Sequence, residues 1–256
     1  ATTEIYTLSL HDALPIYIFW NTIAGYNSAT WLFQLIIVII GIILTGLLLR
    51  RPESWVKLSM KFYLIFLYIW IAVVYYYIYC AERSYNVVMA LFWGVMAVIW
   101  IWDTLTGYTT LERSRKYDGL AYILLAMPFI YPLLSLARGL TFPGITSPVM
   151  PCSVVVFTIG LLLLFARKVN MFLVLFLCHW SLIGLSKTYF FHIPEDFLLA
   201  SASVPALYLF FREYFLNRLH TDTQPRAKLI NLLLVSVCIA LGVILTVTMF
   251  LQLTPA

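Results

Sequence analysis

Long apolar stretches separated by short polar connections dominate the pattern of this 256-residue chain. A helix needs about 20 apolar residues to cross the hydrocarbon core of a bilayer, and most of the stretches approach or exceed that length. The pattern therefore predicts an all-α transmembrane bundle of about eight helices, forming a single integral membrane domain over residues 17–256. The predicted spans are 29–49, 58–80, 85–102, 119–136, 152–166, 170–187, 196–211 and 229–252.

The composition excludes a soluble or disordered chain. Apolar residues make up 63% of the sequence and charged residues only 11%, with a mean hydropathy of +0.95, whereas soluble domains usually carry about 25% charged residues. The four cysteines form no C-x-x-C pair and no Cys/His metal spacing, so we expect neither a metal nor a cofactor. A net charge of +5 could indicate a nucleic-acid partner, but the distribution of that charge indicates membrane orientation instead.

Lysine and arginine are divided unequally between alternate connections of the predicted spans. One set of connections carries thirteen of the sixteen basic residues, and the other set, with both termini, carries Arg83, Arg138 and Lys187. Because basic loops stay on the cytoplasmic side, we predict a multi-pass protein of the bacterial cytoplasmic (inner) membrane, with basic loops in the cytoplasm and both termini outside. The thirteen residues are Arg50, Arg51, Lys57, Lys61, Arg113, Arg115, Lys116, Arg167, Lys168, Arg212, Arg218, Arg226 and Lys228.

The first sixteen residues, ATTEIYTLSLHDALPI, match the translation of a sequencing-library adapter codon for codon. A match of that length does not arise by chance. We therefore interpret residues 1–16 as an artefact and exclude them, including His11 and Asp12, from the reasoning about function. The native start is expected to lie upstream of Tyr17.

One histidine, His179, lies near the middle of the sixth predicted span. An ionisable side chain at that depth is costly and by default indicates function. Ser186 returns to nearly the same helix face two turns later, and Lys187 follows it. His179, Ser186 and Lys187 are thus candidates for solute binding or proton relay. The alternative is that the imidazole only hydrogen-bonds to a neighbouring helix.

A proline-rich connection at 138–153, RGLTFPGITSPVMPCS, is the longest on the predicted outer side. Its prolines exclude a helix interior, so it is either an exposed surface cap or a loop that dips between helices to line a cavity. We place any pocket here, between the fourth, fifth and sixth spans. The candidate outer-pocket residues are Pro148, Pro151, Cys152, His192, Glu195 and Asp196.

Glu195 and Asp196 also have a purely structural interpretation. They follow Pro194 at the start of the seventh predicted span, where proline suits the first turn and carboxylates complement the helix dipole. Lys187 is a candidate ion-pair partner for one of them across the short hairpin.

Residues at the span boundaries give three further expectations. The aromatic residues that end the second and third spans are interpreted as interfacial belts, and Asp103 as a hydrated boundary residue. Cys80 and Cys152 both fall at the outer boundary, where a disulfide is permitted but not specified. The belt residues are Tyr75, Tyr76, Tyr77, Tyr79, Trp100 and Trp102.

Several short motifs occur in a fixed order along the chain. They are Tyr26-Asn27-x-Ala29-x-Trp31-x-x-Gln34, Tyr131-Pro132-Leu133-Leu134, Pro151-Cys152 through Phe157-Thr158-x-Gly160-Leu161-Leu162, Trp180-Ser181-Leu182-Ile183-Gly184 and Pro194-Glu195-Asp196. In this order and spacing the chain resembles the uncharacterised bacterial membrane proteins of the domain-of-unknown-function family 6064 (DUF6064). It departs from the family pattern at Ser153 and Lys187. The resemblance implies a membrane architecture and supplies no catalytic or binding residues.

Three classes of function are consistent with the sequence. The first is a small-solute or ion transporter, or a ligand-binding membrane protein. The second is a non-catalytic membrane scaffold or accessory subunit with a membrane-protein partner. The third is a membrane enzyme that acts on a lipid-linked substrate at the outer interface. No soluble-enzyme motif, such as a phosphate-binding P-loop or an H-E-x-x-H zinc helix, is present, so an enzyme is the less favoured interpretation.

Overall fold

The computed structural model describes the backbone of residues 2–81, 86–113, 118–190 and 195–211, and the side chains of 17–81, 86–113, 118–184 and 195–211. This part of the chain is mostly helical. A π-helix continues directly from α2, and two very short strands, β1 and β2, complete the elements. The bounds are α1 Thr2–Arg50, α2 Ser54–Trp70, π-helix Ile71–Tyr79, α3 Asn86–Thr106, β1 Thr110–Leu111, α4 Asp118–Ala137, α5 Pro151–Phe165, β2 Ala166–Lys168, α6 Met171–Phe190, α7 Asp196–Ser201 and α8 Ser203–Phe211.

Helices occupy the first seven of the predicted segments. Four helical stretches are long and apolar enough to cross a membrane, and three more are apolar but shorter. The eighth predicted span, 229–252, lies outside the described residues. The four long stretches are Tyr17–Arg50, Ser54–Tyr79, Asn86–Thr106 and Asp118–Ala137, and the shorter ones are Pro151–Phe165, Met171–Gly184 and Asp196–Phe211.

The seventh segment is divided into α7 and α8 at Ala202. Proline lacks an amide hydrogen and its ring clashes with the carbonyl four residues earlier, so Pro205 cannot bond to Ser201 as an uninterrupted helix requires. The chain instead tightens at the break, where the amide of Ala202 donates to Leu199 O at 3.0 Å.

The aromatic residues at the end of the second span do not form a belt. Tyr75 and Tyr76 are only 3% and 4% exposed, and Trp100 is fully buried. The interfacial interpretation is therefore wrong for these three residues. Tyr77 and Trp102 do lie on the exterior. Tyr75 and Tyr76 lie on the buried face of the π-helix together with Ile71 and Ala72, and Trp100 lies on the buried face of α3.

Buried aromatic rings fill the space between α2, the π-helix, α3 and α6. Tyr68 stacks on Trp93 with ring centroids 5.2 Å apart, and Trp180 packs edge-on to Trp93 at 5.0 Å. Phe92 and Phe176 stack at 4.4 Å. Such pairs stabilise beyond the area they bury, so this cluster is the centre of the packed core.

The chain connections that carry most of the basic residues lie at one end of the bundle. β1 pairs antiparallel with β2, which joins the α3–α4 connection to the α5–α6 connection. An exposed ion pair between Arg167 and Glu112, with an N–O distance of 3.3 Å, lies beside this ribbon. The grouping agrees with the alternation of basic loops, while their cytoplasmic location stays a prediction.

Asp103 is not hydrated, contrary to the sequence-based expectation. Its side chain is fully buried and its Oδ2 accepts a hydrogen bond from Lys61 Nζ at 3.0 Å. Oδ1 accepts from the amide and the hydroxyl of Thr109, at 3.1 and 2.6 Å. The Thr109 hydroxyl oxygen in turn accepts from the amide of Asn170 at 3.2 Å. This network ties α2, α3 and the start of α6 together at the basic end.

Candidate functional site

A small cavity lies at the opposite end of the bundle, where α4 ends and α5 and α7 begin. Its volume is about 30 Å³, which is room for about one water-sized molecule. α1 and the π-helix close it on the far side, so the predicted position between the fourth, fifth and sixth spans is only partly correct. The lining residues are Phe19, Tyr75, Tyr76, Tyr131, Thr146, Met150, Pro151, Cys152, Ser153, Glu195 and Asp196.

The end of α4 positions the charged partner of this site. Gly139 adopts a positive φ of 85°, a conformation that glycine enters without strain. Its amide donates to Leu136 O and the amide of Leu140 donates to Ser135 O, which is the hydrogen-bond pattern of a Schellman helix end. The motif fixes Arg138 at the C-cap position, directly after the last helical residue Ala137, so that its side chain reaches the start of α7.

Arg138 and Glu195 form the central ion pair. The Nη1 of Arg138 lies 2.7 Å from Glu195 Oε1 and 2.6 Å from Oε2. Glu195 is 1% exposed while the Arg138 side chain is 40% exposed, so the pair joins a buried carboxylate to the surface. The guanidinium also lies over the Trp20 ring, 5.8 Å from its centroid, a distance at which cations are attracted to the π face.

Two hydroxyl residues extend the polar network along one wall. Ser135 Oγ donates to Glu195 Oε1 at 3.2 Å and lies 2.9 Å from Thr146 Oγ1. Ser135 is fully buried and Thr146 is 6% exposed. Because buried polar groups are costly unless hydrogen-bonded, this chain of contacts fixes the proline-rich connection against α4 and α7.

Tyr131 supplies a buried polar group beside the cavity. Its side chain is 2% exposed and lines the cavity, and within the described part of the chain its hydroxyl makes no hydrogen bond of normal geometry, although the backbone of Leu199 lies beside it. Buried hydroxyls are nearly always paired, so an exception requires an explanation such as a bound water or ion. The carboxylate-bearing residues Glu195 and Asp196 line the same cavity, which makes it a chemically suitable place for a small polar molecule.

Residues of α1 hold the proline-rich connection in the bundle. Tyr26 Oη donates to Val149 O at 2.7 Å, and Asn27 Nδ2 donates to two loop carbonyls, those of Pro143 and Ile145. Gln34 Nε2 donates to Asn27 Oδ1 at 3.2 Å. The connection therefore dips between the helices, which is the second of the two alternatives that the sequence left open.

The hydrogen bonds of α1 give a structural role to the first of the sequence motifs. Tyr26, Asn27 and Gln34 belong to the first motif shared with the resembled family. A family model described as a family of unknown function, DUF6064, matches residues 16–221. The chain belongs to this family. No curated protein and no solved structure matches the chain.

Four of the six predicted outer-pocket residues line the cavity of this DUF6064 protein: Pro151, Cys152, Glu195 and Asp196. Pro148 instead lines a separate apolar cleft. His192 lies outside the described residues. Among the described residues, no group of three or more His, Cys, Asp or Glu side chains is arranged to hold a metal ion.

The predicted relay on α6 is only partly described in the DUF6064 chain. The half-buried ring of His179 lies edge-on to Phe92, with centroids 5.9 Å apart, and it lines neither of the two cavities. The side chains of Ser186 and Lys187 lie outside the described residues. The structure therefore does not connect His179 with the outer cavity.

The two carboxylates at this end differ in role, and the two outer-boundary cysteines are not bonded to each other. Glu195 precedes α7 but makes no capping hydrogen bond, because both carboxylate oxygens bind Arg138. Asp196 alone occupies the first turn of α7. Cys80 and Cys152 are not joined by a disulfide.

Sequence reasoning missed Arg138, Ser135, Thr146 and Tyr131 as parts of the site. Arg138 carried a usable signal, as one of only three basic residues on the predicted outer side. Such an isolated charge beside a membrane span calls for an acidic partner, and Glu82, Glu195 and Asp196 are acids on the same predicted side.

Proposed function

We propose that this DUF6064 protein is a multi-pass protein of the bacterial cytoplasmic membrane that binds a small solute or ion in the outer cavity. The observation that carries the proposal is the buried Tyr131 residue, which lines a water-sized space and whose hydroxyl makes no hydrogen bond of normal geometry within the described residues. Glu195 and Asp196 line the same space and supply hydrogen-bond acceptors. Together they form a site for a polar species with few atoms.

The ion pair supports binding in preference to catalysis. Both oxygens of Glu195 accept hydrogen bonds from Arg138, so the carboxylate is held by a protein partner and is not directed at a substrate. A cavity of about 30 Å³ also has no room for a lipid headgroup. These observations disfavour the enzyme hypothesis and favour a site in which the carboxylates of Glu195 and Asp196 accept hydrogen bonds from a bound solute.

The test is a ligand screen by thermal unfolding of the full chain in detergent. Sodium, potassium, ammonium and chloride, which are small enough for the cavity, are titrated separately against the wild type, Tyr131→Phe and Tyr77→Phe. Tyr77 is the matched control, because it is 60% exposed and outside the cavity. We expect a saturable rise in Tm with at least one solute, absent in Tyr131→Phe and retained in Tyr77→Phe.

His179→Ala is measured in the same screen, because His179 remains the alternative binding position. A rise in Tm that persists in Tyr131→Phe but disappears in His179→Ala would move the site to α6. The absence of any solute-dependent shift would contradict the proposal and favour the scaffold function.

A further inference from the structure

A second, larger cavity runs along the side of the bundle. It has a volume of about 310 Å³ and lies between α1 and α4, with residues of α2 and α5 at its base. Ile42 on α1 and Phe129 on α4 line it and are 54% and 40% exposed, so the cavity is a cleft open to the surface. The α1 portion extends from Val38 to Leu49, about 16 Å at the rise of an α-helix.

The lining of the cleft is chemically hydrocarbon-like. Its two hydroxyl-bearing side chains already have partners: Tyr63 Oη donates to Ile37 O at 3.1 Å and Thr45 Oγ1 donates to Gly41 O at 2.7 Å. Neither hydroxyl proton of the wall is therefore left to donate to a polar ligand. All four helices that form the cleft are apolar, and three of them have the length of a membrane span.

The lower end of the cleft is positively charged. Ile42, Gly46 and Arg50 follow one another at intervals of four residues, which places Arg50 one turn after Gly46, at the end of the cleft on the same face of α1. Arg50 and Arg51 are both exposed. Neither forms an ion pair within the described part of the chain. An apolar slot that ends beside two such arginines is complementary to a molecule with a hydrocarbon chain and an anionic head.

We propose that the cleft holds one acyl chain of an anionic phospholipid, whose phosphate binds Arg50 and Arg51. The lipid bilayer supplies this ligand at the depth of the cleft, and basic pockets between helices on the cytoplasmic side are known to recognise anionic headgroups. The basic end of this bundle is the end predicted to face the cytoplasm. The lipid site is separate from the outer cavity and does not depend on a solute binding there.

Gly46 allows the cleft to be filled without a clash. A Cβ added at this position meets no atom within 4 Å, so the side chain of Gly46→Leu enters the open cleft. Gly25 on the same helix is the matched control, because a Cβ there also meets nothing and the residue is exposed outside the cleft. Both substitutions raise helix propensity equally.

The experiment measures co-purified lipid and lipid-dependent stability of the full chain in nanodiscs of phosphatidylglycerol or phosphatidylcholine with identical acyl chains. Native mass spectrometry should find one retained phosphatidylglycerol on wild type and Gly25→Leu, and none on Gly46→Leu. Arg50→Gln and Arg51→Gln should each weaken phosphatidylglycerol retention about fivefold and leave phosphatidylcholine unaffected. Retention by Gly46→Leu equal to that of wild type would overturn the assignment of the cleft.

A photo-crosslinking amino acid at Ile42 identifies the occupant directly. The proposal requires crosslinks to phospholipid. Crosslinks within the chain to residues 229–252, or to a second copy of the protein, would show that protein rather than lipid covers the cleft and would refute the proposal. Equal retention of the two phospholipids would refute the role of the arginines.

Discussion

Replacing Lys61 with methionine is expected to destabilise the protein strongly while preserving its packing. Methionine keeps the apolar length of the lysine stem but removes the charge that lies 3.0 Å from Asp103 Oδ2. The two side chains are 9% and 0% exposed, so water cannot replace the lost partner. Asp103 would keep its two hydrogen bonds from Thr109 and remain a buried charge without a counter-ion.

The size of the effect follows from this burial. Removing one member of a buried pair typically costs about 3–5 kcal/mol, because the remaining charge is uncompensated. Arg167→Met at the same end of the bundle is the matched control. Its pair with Glu112 is longer, at 3.3 Å, with side chains 80% and 49% exposed, and exposed pairs contribute less than about 1 kcal/mol.

The assay is denaturant unfolding in detergent micelles, followed by tryptophan fluorescence. Adding Asp103→Asn to Lys61→Met should restore most of the lost free energy of unfolding, because the amide oxygen still accepts the bonds from Thr109 and the buried charge is gone. If Lys61→Met and Arg167→Met cost the same, or if the double variant is no more stable than Lys61→Met, the argument from an uncompensated charge is wrong.

Three further predictions concern the outer cavity and the helix contacts. Tyr131→Phe should change the free energy of unfolding by less than about 0.5 kcal/mol in the absence of ligand. Tyr26→Phe removes a hydroxyl that has two partners and should lower the free energy of unfolding by about 1–3 kcal/mol. Equal losses in the two variants would contradict the assignment of Tyr131. Asn27→Leu should expose the 138–150 connection to proteases, because two loop carbonyls lose their donor; limited proteolysis with an unchanged cleavage rate would refute this anchoring role. Gly160→Ala should destabilise the protein by about 1–3 kcal/mol, since the added Cβ would lie 2.9 Å from a side chain of α4. The Cβ of Gly94→Ala meets open space, so this variant should stabilise the protein by up to about 1 kcal/mol. Thermal unfolding measures both effects.

Hydrophobic periodicity was sufficient to predict where the helices lie, because each apolar stretch is read locally. It placed helices at segments one to seven, and the spacing of basic residues grouped three connections that the structure brings to one end. It did not predict the break at Ala202, although Pro205 was visible. It also misjudged Tyr75 and Tyr76, because the sequence does not show which face of a helix packs against its neighbours and which stays exposed.

The sequence predicted only some residues of the candidate site, because it shows unusual residues but not their contacts. Glu195, Asp196 and Cys152 could be found as unusual residues near a span end. Their partners could not be found, because Arg138 is 57 residues from Glu195 in sequence and many loop arrangements would have left the two apart.

The sequence by itself therefore determined the class of protein, the family and the helical segments, since length, hydropathy and ordered motifs are properties of short stretches. Only the tertiary structure decided which polar groups inside the bundle pair with one another. An unpaired buried charge destabilises the fold, so the buried carboxylates of Asp103 and Glu195 each require a basic partner. The sequence does not show that these partners are Lys61 and Arg138. The packing of the helices determines the partners, and it places Tyr131 beside a small cavity.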